Sequence, residues 1–321
     1  MKIFAHGDTD GLTSAALVVK AFGVDAHSVH FSRPTSLLAD LRMTNEHTVI
    51  LDIAIHEKDA QEILKELQRI AEKHELLYID HHPLPSGLAE KDMPEDYVHD
   101  VNRSTAELAY MFLKEKLPRE FTKIALYGAI GDYADDTTWI TNELERWDKR
   151  IIYFQSGLLM EALGEARFEY NLKRSIVGWL VNGKEPSEMS DVVELALREA
   201  AYDKVLYEEL KKNHKVVGDV AYAILERGSL AKGAHLIMGI AGTDVGVVGI
   251  VEGGHVDMSL RANKSLGKDL AEIARTVARP LDGSAGGHAA ACGASVPAKN
   301  FERFIEGLAE ALASDVSNAS V

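Results

Sequence analysis

The stretch Lys2-Ile3-Phe4-Ala5-His6-Gly7-Asp8-Thr9-Asp10-Gly11 decides how the rest of the chain reads. Its apolar start predicts a short strand over 2–5, and three potential metal ligands, His6, Asp8 and Asp10, follow at alternate positions. Alternate residues of extended chain project to one side, so the three converge where the strand ends. Gly11 lacks a Cβ and lets the backbone turn tightly into a helix, expected over 11–22. A strand that ends in polar residues and turns at once into a helix opens a βαβ fold, whose ligands gather at the carboxyl edge of the sheet.

Working outward, apolar runs predict further strands at 26–30, 48–52 and 76–80, with amphipathic helices at 36–42, 57–72 and 104–116. The last opens with Ser104-Thr105 followed by Glu107, an N-cap signal. The alternation predicts a mostly parallel sheet. Each remaining motif ends an apolar run: Asp52, then Asp80-His81-His82, then Asp132 within Gly131-Asp132-Tyr133-Ala134-Asp135-Asp136. A single Asp after a strand is usually a helix cap, but four motifs at strand ends or turns make a metal site. Carboxylates mixed with imidazoles suit Mn²⁺ or a similar divalent ion better than a thiolate-seeking metal. Two such ions about 3.5–4 Å apart polarise a phosphoryl group and activate water. Asp135 and Asp136 read as caps of the next helix, and His56, His74 and His99 as surface or structural residues.

Beyond residue 142 the pattern turns helical to about residue 215, with a break at Gly183–Pro186. Ile151, Phe154, Leu158, Leu159 and Leu163 recur at helical spacing and are expected on one face, covered by the first domain or by a second copy of the chain in a homo-oligomer. From residue 216 the chain becomes β-rich and glycine-rich, with strands expected at 220–225, 236–241, 245–252 and 256–261 and helices at 266–278 and 300–313. The expected fold class is therefore α/β: a parallel-sheet domain over 1–142, a helical connector over 143–215 and a smaller α/β domain over 216–321.

Composition sets outer bounds. With 46% hydrophobic and 26% charged residues the chain is an ordinary globule, which excludes a disordered or low-complexity protein. The net charge of −15 argues against coating duplex nucleic acid unless positive charge gathers in one cleft. Cys292 is the single cysteine, which excludes an intrachain disulfide and a cysteine-rich zinc site and fits a reducing compartment; it reads as a small buried residue. The first residues lack the apolar stretch of a secretory signal, and no window approaches 18 uncharged apolar residues, so a cytoplasmic protein without membrane partners is expected.

His-x-Asp-x-Asp-Gly, the isolated Asp52, Asp-His-His and Gly-Asp resemble the four motifs of the DHH phosphoesterase superfamily, across nearly the whole chain. The resemblance implies that His6, Asp8 and Asp52 hold one metal ion and that Asp10, Asp52, His81 and Asp132 hold a second, with Asp52 bridging. The ions implied are Mn²⁺, with Mg²⁺ as the alternative. Asp80 would orient the cluster and His82 would face the substrate phosphate. Met258-Ser259-Leu260-Arg261, followed by a glycine-rich stretch ending Cys292-Gly293, resembles the DHH-associated domain of RecJ and oligoribonuclease relatives. Its hallmarks are a strand arginine and a Gly-Gly-His turn, which assigns substrate binding to Arg261, Gly286, Gly287 and His288. Cys292 departs from the family pattern, which more often has a small residue there.

The type resembled most is the shorter archaeal RecJ-like, Hef-associated nuclease. It implies a Mn²⁺-dependent exonuclease that releases mononucleotides from single-stranded DNA or RNA ends, with 3′→5′ polarity, in DNA repair or RNA turnover, and with a repair helicase as candidate partner. Two alternatives stay open: a phosphodiesterase of short oligoribonucleotides or linear dinucleotides, and an inactive metal-binding scaffold of a repair complex.

Overall fold

The structure is a computed structural model that describes residues 1–166 and 168–314. These fall into two compact units that divide between Ala200 and Ala201.

In the first unit the strands are β1 (Lys2–Ala5), β2 (Val29–Phe31), β3 (Thr48–Leu51), β4 (Leu76–Asp80) and β5 (Asp96–His99). The helices are α1 (Thr9–Phe22), α2 (Leu37–Arg42), α3 (Ala60–Ala71), α4 (Thr105–Leu113), α5 (Thr122–Gly131), α6 (Thr138–Arg146), α7 (Lys149–Glu165), α8 (Tyr170–Val181) and the start of α9 (Ser190–Asn213). The sheet order is β2-β1-β3-β4-β5, and every pairing is parallel. β3 and β4 are buried along their whole length, as strands covered on both faces must be, which is why they read as unbroken apolar runs. On one face α1, α4, α7 and α8 build a core around Leu12, Leu17, Leu159 and Ile176. On the other, α2 and α3 pack Leu37, Leu41, Ile63 and Leu67 against Phe4, Ile50 and Tyr78. Each fully buried side chain of this size contributes roughly 1.5–3 kcal/mol. All five strands run the same way, so all their carboxyl ends share one edge.

The second unit continues from α9 through β6 (Lys215–Val217), β7 (Val220–Leu225), α10 (Leu230–Ala241), β8 (Val245–Glu252), β9 (His255–Ala262), α11 (Leu270–Ala278), β10 (Ser284–His288), β11 (Ala291–Pro297) and α12 (Phe301–Ala313). Its sheet has the order β10-β11-β9-β8-β7-β6, antiparallel except for the pair β7 and β8. α11 and α12 cover one face through Leu270, Ala274, Phe304 and Leu308. The described residues thus form an α/β protein with a parallel sheet in the first unit and a second sheet in the other.

Several expected elements differ. Residues 236–241, expected as a strand, form the second half of α10. Ser229 caps that helix by accepting from the Lys232 N–H, and Gly242 closes it with φ 71°. A short apolar run carries no period of its own, and the caps decide it. The expected strand 26–30 is a 3₁₀ turn followed by β2. α5 has no counterpart among the expected helices because it is buried all round and shows no amphipathic stripe. The helix after Asp135 and Asp136 is capped by Thr137, which accepts from the Ile140 N–H, while Asp135 accepts from the Tyr153 hydroxyl at 2.6 Å. The expected stripe on α7 splits. Leu159 and Leu163 are buried, but Ile151 and Phe154 are exposed, because Ile152, Gln155 and Ser156 turn inward.

Candidate metal centre

The carboxyl edge of the first sheet gathers the polar residues that the sequence scatters over more than a hundred positions. His6 follows β1, Asp52 follows β3, Asp80 ends β4 and His81 follows it, and Asp8 and Asp10 open α1. Gly11 is required here, since a Cβ at that position would lie 2.5 Å from the His6 carbonyl. Asp8 caps α1 by accepting from the Gly11 N–H at 3.0 Å, and its other oxygen lies 2.7 Å from His6 Nδ1. Asp132, expected at a strand end or turn, instead closes the buried helix α5 as its C-cap.

Besides Asp52 with Asp80 and His82, two sets of ligand atoms result at this edge, each lying within 4.8 Å of one another: His6 with Asp8 and Asp52, and Asp10 with His81 and Asp132. Asp52 lies between them. One oxygen is 3.7 Å from His6 Nδ1 and the other 3.4 Å from His81 Nε2, which is also 3.4 Å from Asp132. Asp52 is 2% exposed and holds φ at 59°, the left-handed region that costs a residue with a Cβ about 1–3 kcal/mol. Its N–H donates to the Ile79 carbonyl of β4. The conformation lifts the side chain out of the strand's alternation at the point where the two sets meet.

Asp10 is buried, and its carboxylate accepts from the N–H groups of Thr105 and Ala106 at 2.7 and 2.9 Å, so it closes the N-terminus of α4. Each oxygen keeps a second lone pair for a metal. The Thr105 hydroxyl donates to the Asp52 carboxylate at 3.2 Å.

The electrostatics fit a cation. Burial pushes Asp10 well above the usual carboxylate range, and the neighbouring Asp52 and Asp132 add to it. Burial likewise raises Asp132 to about 7. Burial works against ionisation of Asp52 too, but its bonds to His6 and His81 overcome it and hold the carboxyl well below its usual value. For His81 burial opposes protonation, and the bond to Asp52 prevails, lifting it to about 10. His6 is raised chiefly by Asp8. Each of these upward shifts favours the proton, which offsets negative charge among crowded acids, and a pair of divalent ions satisfies the same donors.

Beside the cluster, buried Asp80 holds His82 through a 2.8 Å contact to Nδ1. The His82 pKa rises because Asp80 outweighs the opposing effect of burial. Three further residues support this edge without having stood out in the sequence. His99, expected as structural, ends β5 and donates from Nε2 to the His82 carbonyl at 2.8 Å. Thr105 bears on both Asp10 and Asp52. Lys173 of α8, 3% exposed, donates to the Gly7 carbonyl at 2.5 Å. Nothing in a lone Thr or Lys announces such a role; the signal is the tertiary contact.

In the second unit, the Gly-Gly-His segment expected as a turn is the edge strand β10, and the turn itself falls at Ala289-Ala290. Glycine remains necessary, because Gly287 has φ 137° and a Cβ there would lie 2.7 Å from the Ala291 carbonyl. His288 and Arg261 are both paired with Ala291, one on each side. Directly paired residues share a face, so the two side chains stand on one face about 10 Å apart at two strand spacings. Arg261 is steadied by its own strand, donating from Nη1 to Ser259 Oγ and the Leu260 carbonyl, both at 2.9 Å. Gly286 faces Gly293 one register earlier. Cys292 is buried, and burial lifts its thiol to about 12, which leaves no thiolate for chemistry.

Residues 1–131 match the DHH family N-terminal domain, and residues 203–314 match the DHHA1 domain. No curated protein matches the chain. Among solved structures, the chain is similar to PggH, a pGpG-specific phosphodiesterase from Vibrio cholerae, at 15% identity and a TM-score of 0.63, over 97% of this chain and 98% of that one. It is similar to RecJ of Thermus thermophilus in complex with Mn²⁺, at 18% identity and a TM-score of 0.65, over 97% of this chain and 52% of that one. A DHH domain of a member of the s1p family of ribosomal proteins gives 15% identity and a TM-score of 0.72, over 96% of this chain and 85% of that one. At such identities the likeness shows the shared fold. Four motifs at one sheet edge, followed by a strand arginine and a Gly-Gly-His strand, place the chain in the DHH phosphoesterase superfamily, with a DHH domain followed by a DHHA1 domain.

Proposed function

We propose that the protein is a metal-dependent phosphodiesterase that removes mononucleotides from the ends of single-stranded DNA or RNA, working 3′→5′. The observation that carries this reading is Asp52 between two ligand sets. Two Mn²⁺ ions, or Mg²⁺ in their place, would be held by His6, Asp8 and Asp52 on one side and Asp10, Asp52, His81 and Asp132 on the other, and would supply Lewis acidity and activated water.

The chain's own residues do the rest. Asp80 fixes His82 through Nδ1, which leaves Nε2 to meet a phosphate oxygen. His99 holds the backbone of His82, and Asp10 and Thr105 tie the ligands to the start of α4. Arg261 can grip a phosphate through two N–H groups, with His288 as a further donor.

A second reading, hydrolysis of oligonucleotides only a few residues long, is favoured by the net charge of −15, which opposes grip on a long polyanion. PggH, of nearly matching length, is in keeping with it. End-labelled single strands and dinucleotides, incubated with Mn²⁺ and with chelator, test both readings. Cleavage should need the metal and start at the 3′ end, and the ratio of rates on two-mers and twenty-mers decides between the readings. Asp52→Asn keeps a residue that tolerates positive φ and should lower turnover at least roughly a thousandfold, about 4 kcal/mol. Near-normal turnover would remove the bridging role.

A further inference from the structure

Beside the metal centre the first unit carries an aromatic and cationic cluster that the catalytic reading leaves unused. Phe31 ends β2, and its ring lies parallel to that of Tyr170 at the start of α8, with 6.3 Å between centroids and 15° between planes. Arg33 follows two residues later. Its guanidinium sits 5.3 Å from the centre of the Phe168 ring and reaches the Tyr170 hydroxyl at 3.4 Å. Lys173 completes the group, 5.9 and 6.0 Å from the Phe31 and Tyr170 ring centres.

The cluster is joined to the ligand loop at two points. The Ser32 N–H donates to the Ala5 carbonyl, immediately before His6, and Lys173 donates to the Gly7 carbonyl, between His6 and Asp8. His6 and Asp8 are themselves open to solvent, with side chains 35% and 47% exposed. Phe168 is 66% exposed. Phe168 is held by its contact with the Arg33 guanidinium but buries little apolar area, so most of its surface is available to a ligand. A flat π surface with a guanidinium over it, in a cluster hydrogen-bonded to the loop that carries His6 and Asp8, suits an unpaired nucleobase, which stacks on aromatic rings and accepts hydrogen bonds at its edge.

We propose that Phe168 and Arg33, backed by Tyr170, form a stacking platform for the base of the nucleotide whose phosphate lies at the metal centre. The proposal rests on the phosphodiesterase reading and deepens it: the substrate is recognised by an unstacked base as well as by its phosphates. A duplex end would have to fray before it could engage.

Two measurements on the full chain test it, each with Phe168→Ala and Phe168→Tyr. In Mn²⁺, a dinucleotide carrying 2-aminopurine and a non-hydrolysable methylene-phosphonate link should be quenched by the wild type and by Phe168→Tyr but not by Phe168→Ala. With Mn²⁺, KM for a five-residue single strand should rise roughly 5- to 150-fold in Phe168→Ala with kcat little changed, the range expected for one lost stacking contact. The wild-type preference for that strand over one with an abasic terminal residue should collapse toward unity. Phe168 is exposed, so circular dichroism should show both variants folded. Equal quenching by wild type and Phe168→Ala, no quenching by the wild type, or an unchanged preference for the intact base overturns the platform. Quenching without any hydrolysis would overturn the phosphodiesterase reading and leave the platform standing; hydrolysis indifferent to the base would do the reverse.

Discussion

Single side chains set the charge state of the centre before any ion arrives. His81, lifted to about 10, carries its proton at neutral pH, and Asp132, raised to about 7, is partly protonated. Ligation needs the lone pairs those protons occupy, so metal binding must release protons, and affinity must rise with pH. Mn²⁺ titration calorimetry at pH 7 in two buffers of different ionisation enthalpy should therefore give different heats; equal heats would mean that no proton leaves. The sign for stability follows from the same shift. A histidine whose pKa is raised on folding adds stability in full below about 6.5 and loses it as pH climbs through about 10. Asp52, depressed, acts the other way, adding stability above the usual carboxylate value and losing it in acid. The metal-free protein should therefore melt at lower temperature as pH rises from 6.5 toward 10.

At the scale of elements, three helices are fitted to the centre through their ends. α1 begins at Asp8, α4 begins on Asp10, and α5 ends at Asp132. α5 packs closely enough that a Cβ at Gly128 would meet Thr13 Oγ1 and Ala106 Cβ and would lie 2.8 Å from Asp10 Oδ1. Gly128→Ala should cost roughly 1–3 kcal/mol of overpacking, read as a melting temperature lower by about 2–4 °C per kcal/mol. It should also weaken Mn²⁺ binding, because the displaced atom belongs to a ligand. A variant with unaltered melting and metal affinity would show that the helix has room to shift.

For the whole molecule the question is how an acidic chain holds an anionic substrate. Charge of the wrong sign over the surface slows encounter with a polyanion, so affinity must come from a few local contacts. Under the proposed function Arg261 would be one of these. Arg261→Ala should weaken binding of a short single strand by roughly 1.5–3 kcal/mol and reduce the slope of log K against log salt by about one, as loss of a phosphate contact does. An unchanged slope in anisotropy titrations would take Arg261 off the phosphate. Among the described residues no helix is long and apolar enough to cross a membrane.

The sequence by itself determined the strand–helix alternation of the first unit, because apolar periodicity reports burial directly, and it marked the polar residues that gather at the sheet edge, because His and Asp end its apolar runs. It also exposed the second unit through Arg261 and the Gly-Gly-His segment. Only the tertiary structure decided what contact alone can decide. Asp52 became the meeting point of two ligand sets through a left-handed backbone that no pattern announces, since φ is set by the neighbours that hold it. Thr105, His99 and Lys173 came to the site across 53, 17 and 166 residues of chain. Their chemistry is ordinary in isolation; folding supplies the partners that give it a use.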